Sequence, residues 1–92
     1  SEIIIQEYST ALKFAKEIKS EVRDGFLANC YGGLGEQYLE CYKNTPNASI
    51  DLLTKAVENL GLASDLDKSW LTDFLEAKAR HFKATSFFSS WF

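Results

Sequence analysis

The chain has 92 residues, of which 46% are hydrophobic and 14% aromatic, and its formal net charge is −3. This length predicts one domain, residues 1–92, with a single hydrophobic core, and the composition excludes disorder as the main state. A charge so close to neutral gives no general attraction to nucleic acid, so we expect no nucleic acid among the partners.

Residues 2–23 have the clearest helical pattern in the chain. Apolar residues recur there every three or four positions, which is the spacing of one face of an α-helix. The face consists of Ile4, Tyr8, Ala11, Ala15, Ile18 and Val22, widened by Ile5, Leu12 and Phe14. Asp24 and Gly25 follow, and glycine readily takes the left-handed conformation that ends a helix. We therefore predict a first helix that ends at this point.

The second predicted element, residues 26–43, carries two conflicting signals. Its apolar residues share one helical face: Phe26, Cys30, Leu34, Tyr38 and Tyr42. Gly32, Gly33 and Gly35 lie in the same stretch, and each glycine costs roughly 1 kcal/mol relative to alanine inside a helix. Either the helix breaks at this glycine notch, or another part of the molecule packs closely against it. In both cases we expect a central element of the fold, which ends before Pro46.

A third helix is predicted after Pro46. Asn47 or Ser49 is placed to cap its N-terminus, and Asp51 in the first turn suits the positive end of the helix dipole. Its apolar residues are Leu52, Leu53, Ala56, Val57 and Leu60. Gly61 follows them, so we expect the helix to end there.

A fourth helix is predicted to begin at a capping box, Ser64 to Asp67, or one turn later at Ser69, and to run to about Lys83. Its apolar residues are Leu66, Trp70, Leu71, Phe74, Leu75, Ala77 and Phe82. Four helices with short connections predict an all-α fold, an antiparallel four-helix bundle with a glycine-notched second helix and an aromatic C-terminal tail.

The chain has little of the chemistry that catalysis or metal binding requires. Its single histidine, His81, lies in no Glu-x-x-His pattern, and Cys30 and Cys41 form no Cys-x-x-Cys pair. The three glycines lack the Gly-Lys-Ser/Thr ending of a phosphate loop. We therefore expect a protein that is not an enzyme and that holds no metal or cofactor.

The two cysteines bear on the cellular compartment. On one continuous helix the sulfur atoms of Cys30 and Cys41 are roughly 16 Å apart, too far for a disulfide, whereas a turn at the glycines would allow pairing. We expect two buried free thiols, which suit a reducing cytoplasm. The opening Ser-Glu also lacks the basic start of a signal peptide, and the longest weakly polar run, residues 25–35, is too short to span a membrane.

The C-terminal segment offers the clearest candidate for a binding surface. The first 76 residues contain all 13 acidic residues but only seven of the 10 basic ones, so the last turns are purely basic. The candidate partner-binding residues are Lys78, Arg80, Lys83, Phe87, Phe88, Trp91 and Phe92. Positive charge combined with large apolar groups suits an acidic, grooved protein partner or a membrane surface. The aromatic residues of this tail have a second interpretation, in which they fold back and seal the bundle.

The absence of catalytic groups predicts a small non-enzymatic protein-binding module. We expect an inhibitor or immunity-type protein that contacts one protein partner directly, as a monomer or a homodimer. Two alternatives remain open. In the first, the core encloses an apolar small molecule among the aromatic residues near the glycine notch: Tyr31, Tyr38, Tyr42, Trp70 and Phe74. In the second, the tail lies on an anionic membrane surface.

Overall fold

The structure, a computed structural model, describes residues 2–16 and 22–89, without the side chains of Ala15, Phe87, Phe88 and Ser89. These ranges contain four α-helices: α1 (Glu2–Ala15), α2 (Val22–Asn44), α3 (Ile50–Leu66) and α4 (Leu71–Ser89). A short 3-10 helix, Lys68–Trp70, precedes α4. The helices pack against one another as an all-α four-helix bundle, which confirms the fold class predicted from the sequence.

Helix α2 is the central element. It is 23 residues long, contacts α1, and packs most extensively against α3. Eight of its residues are buried: Leu27, Ala28, Cys30, Gly32, Gly33, Leu34, Gly35 and Leu39. The helix runs without a break through the glycine notch, so the alternative of a chain break is wrong.

Close packing explains the glycine notch. A Cβ atom on Gly32 would overlap the ring of Trp70, and one on Gly33 would overlap the ring of Tyr8. At Gly35 it would lie 2.6 Å from the Cγ atom of Leu60 and 3.0 Å from the backbone nitrogen of Leu60. The three glycines therefore admit three neighbours: α1, the 3-10 helix and α3.

The contacts between α2 and α3 show that these helices are antiparallel. Gly35 meets Leu60, whereas Lys55, further back along α3, lies over the ring of Tyr38 with its Nζ 5.5 Å from the ring centroid. The core cluster around them consists of Leu39, Leu53, Ala56, Leu60 and Ala77. Among the described residues, Leu53 and Leu60 are the largest side chains that are fully buried.

Helices α3 and α4 are also antiparallel. Gly61 of α3 lies against the ring of Phe74 near the start of α4, whereas Thr54 Oγ1 lies 3.2 Å from the Nε2 atom of His81 further along it. The Thr54 hydroxyl also donates to the carbonyl of Ile50 at 3.3 Å. The inner side of α4 is therefore in contact with α3 over several turns.

Two predicted helix ends are wrong. Gly25 lies inside α2 and Gly61 inside α3, because a glycine costs only roughly 1 kcal/mol and packing readily outweighs that cost. The first helix ends at Ala15, earlier than predicted. Val22, predicted on its inner face, belongs to α2 and is 76% exposed. Ile18 lies outside the described residues.

The predicted cap of the third helix is confirmed, but the capping box of the fourth is wrong. Ser49 caps α3, since its Oγ accepts a hydrogen bond from the backbone N–H of Asp51 at 3.2 Å. Ser64 lies inside α3 and donates to the carbonyl of Gly61 at 3.0 Å. Asp67 caps the 3-10 helix by accepting from the N–H of Ser69 at 2.9 Å, and that hydrogen bond lowers the pKa of the Asp67 carboxyl. Helix α4 then continues beyond the predicted end, to Ser89.

Candidate protein-binding surface

Helix α4 has two apolar faces, one turned inward and one exposed. Phe74, Ala77 and Ala84 pack in or against the core cluster. The exposed face carries Leu71, Leu75 and Phe82, whose exposed fractions are 43%, 53% and 72%. Residues 71, 75, 78 and 82 follow the 4-3-4 spacing of one helical stripe, so these three side chains and Lys78 share one line along the helix.

Lys78 belongs to this stripe and is held over an aromatic ring. Its Nζ lies 5.3 Å from the centroid of Phe74, within the range of a cation–π interaction. The ammonium group is therefore placed beside the exposed apolar side chains and remains on the surface. We call Leu71, Leu75, Lys78 and Phe82 the α4 surface.

The structure brings one of the three predicted cationic residues onto this surface. Lys78, Arg80 and Lys83 are all exposed on α4. Arg80 is two residues after Lys78, about 200° around the helix, and its Nη2 atom lies 3.5 Å from Glu76 Oε1. The backbones of Phe87 and Phe88 belong to α4, but their side chains lie outside the described residues. Trp91 and Phe92 lie outside them entirely, so the binding role of the aromatic tail stays a prediction.

The sequence prediction did not include Leu71 and Leu75 among the candidate binding residues, because it grouped them with the other apolar residues of the fourth helix. A finer angular reading would have separated the two faces of the helix. Positions 71, 75 and 82 fall within about 40° of one another on a helix, whereas positions 74, 77, 81 and 84 fall on a separate arc. The spacing therefore separates the two faces of α4, and the packing of α3 decides which of them is exposed.

Glu76 of α4 forms an ion pair with Lys43 of α2. Its Oε1 atom accepts a hydrogen bond from Lys43 Nζ at 3.1 Å, and Arg80 approaches the same oxygen. The Lys43 hydrogen bond is the main reason why the pKa of Glu76 is lowered. The Glu76 carboxylate partly neutralises the Arg80 guanidinium. Arg80 therefore attracts an acidic protein partner less strongly than Lys78 does.

The variant Lys43→Met removes the Lys43 charge. We expect it to raise the pKa of Glu76 toward its ordinary value of 4.5. Because the folded pKa is lowered, Glu76 stabilises the fold above pH 4.5, and this stabilisation is lost as the pH falls through the lowered value. For an exposed pair the contribution is about 0.2–1 kcal/mol. Carboxyl-detected NMR titration measures the pKa directly. An unchanged pKa in Lys43→Met, or an equal shift in the control Lys68→Met, would contradict the assignment.

Two further titratable groups among the described residues have shifted pKa values, Cys30 and Glu36. Burial raises the pKa of the Cys30 thiol. Neither Cys30 nor Cys41 forms a disulfide, as the sequence predicted, but only Cys30 is buried, whereas Cys41 is partly exposed. Burial and the nearby carboxylates of Asp73 and Glu40 raise the pKa of Glu36. Within the described ranges, no three His, Cys, Asp or Glu side chains come together as a group that could hold a metal ion.

At the glycine notch, the volume that side chains would occupy is filled by Trp70, Tyr8 and Leu60. The alternative of an apolar small molecule in the core stays a prediction. An open groove of about 510 Å³ lies elsewhere, along the outer side of α1. Its lining residues are Ile3, Gln6, Glu7, Thr10, Ala11 and Phe14. Ile3 and Phe14, near its two ends, are 70% and 65% exposed.

Comparisons with protein-family models, with curated proteins and with solved structures give no match to this chain. In the part of the chain that the structure describes, no helix combines the length and the apolar character that crossing a membrane requires.

Proposed function

We propose that this chain is a small non-enzymatic protein-binding module, of the inhibitor or immunity type, which acts by direct contact with one protein partner through the α4 surface. The observation that carries the proposal is the exposure of Leu71, Leu75 and Phe82 in one line beside Lys78. A cytoplasmic location fits the absence of a disulfide between Cys30 and Cys41.

The physical basis of the proposal is the combination of apolar area, charge and rigidity. Aromatic and aliphatic anchors that leave water on binding supply most of the affinity of a protein interface. Helix α4 is held in place by α3 and by the Lys43–Glu76 contact. The helix is therefore already ordered before a partner binds, and little backbone conformational entropy is lost on binding. Lys78 favours a partner groove that carries acidic groups at its rim.

Affinity capture from a cytoplasmic extract tests this proposal when a variant of the α4 surface is compared with a matched control. We expect the wild-type chain to enrich one protein that Leu75→Asp/Phe82→Asp loses by about tenfold or more. Val22→Asp changes an exposed apolar residue on another helix, 76% exposed, and is expected to retain that protein. Circular dichroism would establish that all the variants are folded. Equal capture by the α4 variant and the wild type would overturn the proposal.

Peripheral membrane binding is the second candidate, and the nearness of Phe82 to Lys78 and Lys83 favours it. Apolar and cationic groups on one helix suit the boundary of an anionic bilayer. The acidic residues elsewhere in the chain, which set the net charge at −3, oppose it. Co-sedimentation with phosphatidylserine vesicles decides: binding that Leu75→Asp/Phe82→Asp abolishes supports this candidate, and no binding excludes it.

A further inference from the structure

Helix α3 carries a row of carboxylates beside the α4 surface. Residues 51, 54, 58, 61 and 65 recur every three or four positions, so they form one line along α3. Thr54 and Gly61 of this line contact His81 and Phe74 of α4. The other three members are exposed, and we call them the acidic row: Asp51, Glu58 and Asp65.

The acidic row and the α4 surface lie on the same side of the bundle. Around α4, Asp73 lies close to Glu36 of α2, Phe74 meets α3 about 100° further round, and the α4 surface follows after another 40–100°. Around α3, Leu60 meets α2, Gly61 meets α4 about 100° further round, and the acidic row follows after about another 40–80°. Because the two helices are antiparallel, these rotations have opposite senses in space. Both rows therefore lie on the face of the α3–α4 pair that is turned away from α2.

The two rows also run side by side along the helices. The contacts of Gly61 with Phe74 and of Thr54 with His81 give the same antiparallel register. In this register Asp65 lies close to the height of Leu71, and Glu58 lies close to the height of Lys78. The acidic row is roughly 21 Å long, so its carboxylates accompany the α4 surface over its whole length.

The charge of this face is negative. No member of the acidic row forms an ion pair with another described residue. Lys55, the basic residue of α3, is placed over the ring of Tyr38 of α2 instead. Lys78 offsets one of the three carboxylates. The face therefore keeps an excess of negative charge beside three exposed apolar side chains, those of Leu71, Leu75 and Phe82.

We propose that this face binds an amphipathic helix of the protein partner, whose apolar stripe packs on the α4 surface while a flanking row of Lys or Arg faces the acidic row. This inference rests on the proposed function, because it names the element of the partner that occupies the α4 surface. An amphipathic helix supplies apolar anchors every three or four residues, which is the spacing of the α4 surface.

Charge complementarity selects a basic helix as the occupant. The carboxylates of the acidic row repeat every seven residues, so basic residues at seven-residue spacing on a second helix stay level with them. Lys78 lies between the acidic row and the apolar side chains, and it suits one acidic residue on the same partner helix. A helix with an acidic flank would instead place like charges against Asp51, Glu58 and Asp65.

A synthetic helix tests this inference by fluorescence anisotropy with the full chain. The probe is an Ala-based peptide of about 18 residues, with Leu every three or four residues and Lys at seven-residue spacing on one flank. The control peptide carries Glu in place of Lys. We expect the chain to bind the Lys peptide about tenfold or more tightly than the Glu peptide, and this preference should shrink as the salt concentration rises.

Charge reversal in the chain locates the binding site. Glu58→Lys/Asp65→Lys should weaken binding of the Lys peptide by about tenfold or more and strengthen binding of the Glu peptide. Glu2→Lys/Glu7→Lys makes the same change of net charge at exposed positions of α1, and we expect it to have a much smaller effect. Circular dichroism would establish that both variants are folded.

The apolar part of the face is tested with Leu75→Ser/Phe82→Ser, which should weaken binding of the Lys peptide by about tenfold or more. Serine is chosen because an added carboxylate would itself attract this probe. Equal affinity for the two peptides, no binding of either, or equal losses in the acidic-row variant and the α1 control would overturn the inference.

Capture from the cytoplasmic extract separates this inference from the proposed function. A protein that Leu75→Asp/Phe82→Asp loses but Glu58→Lys/Asp65→Lys retains would overturn the basic helix and leave the proposed function standing. A protein that both variants lose supports the inference. Capture that depends on neither pair of residues would overturn the proposed function, and the inference with it.

Discussion

Replacing Gly35 with alanine is expected to lower the free energy of unfolding by about 1–3 kcal/mol. The added Cβ would lie 2.6 Å from Leu60 Cγ and 3.0 Å from the Leu60 backbone nitrogen. A backbone atom cannot rotate away, and the Leu60 side chain is fully buried, so α3 must move away from α2. The gain of roughly 1 kcal/mol in helix propensity does not offset this overlap. Urea denaturation followed by circular dichroism measures the change.

Gly25→Ala is the matched control for this prediction. Gly25 lies in the same helix, but nothing comes within 4 Å of the position that its Cβ would take. Only the helix propensity then changes, and we expect the free energy of unfolding to rise by about 0.5–1 kcal/mol. If both variants shifted stability in the same direction, close packing would not be the reason for the glycine at position 35.

Leu60→Ala is expected to cause the larger loss, about 2–5 kcal/mol in the free energy of unfolding. Leu60 is 0% exposed and lies in the core cluster. Truncation removes buried methyl groups and leaves a cavity beside the backbone of α2. Since domains of this size are stable by roughly 5–15 kcal/mol, this one change removes a large share of the total. Leu62→Ala, at a 47% exposed position on the same helix, should cost much less.

The double variant Gly35→Ala/Leu60→Ala tests whether these two positions are coupled. Without the Leu60 side chain, the added methyl group at position 35 meets only the backbone nitrogen and partly fills the cavity. We therefore expect the double variant to be more stable than the sum of the single losses predicts, by about 0.5–3 kcal/mol. Strict additivity would contradict direct contact between the two residues.

The helical fold was predictable because apolar periodicity is strong, whereas the helix ends were not. Gly25 and Gly61 resemble helix stops in the sequence, yet both lie inside helices. A glycine that ends a helix and a glycine inside a helix have the same local sequence signal. The distinction depends on residues distant in the chain, such as Phe74 against Gly61, and local rules do not include them.

The candidate site was predictable in its location and only partly in its members. The excess of basic residues after Glu76 pointed to α4, and Lys78 does lie on an exposed apolar stripe. Leu71 and Leu75 were grouped with the other apolar residues of the helix, because a helix with two apolar faces satisfies the same periodicity as a helix with one wide face. Exposure depends on where α3 packs, and that contact is set by the side chains of both helices.

The glycine notch also constrains the order in which the chain acquires its structure during synthesis. The middle of α2 has a low intrinsic tendency to be helical. Its helical conformation becomes favourable only when Tyr8, Leu60 and Trp70 pack around it. Trp70 leaves the ribosome long after α2 has emerged. The central helix of the bundle is therefore not fully stabilised until residues that are translated after it have packed against it.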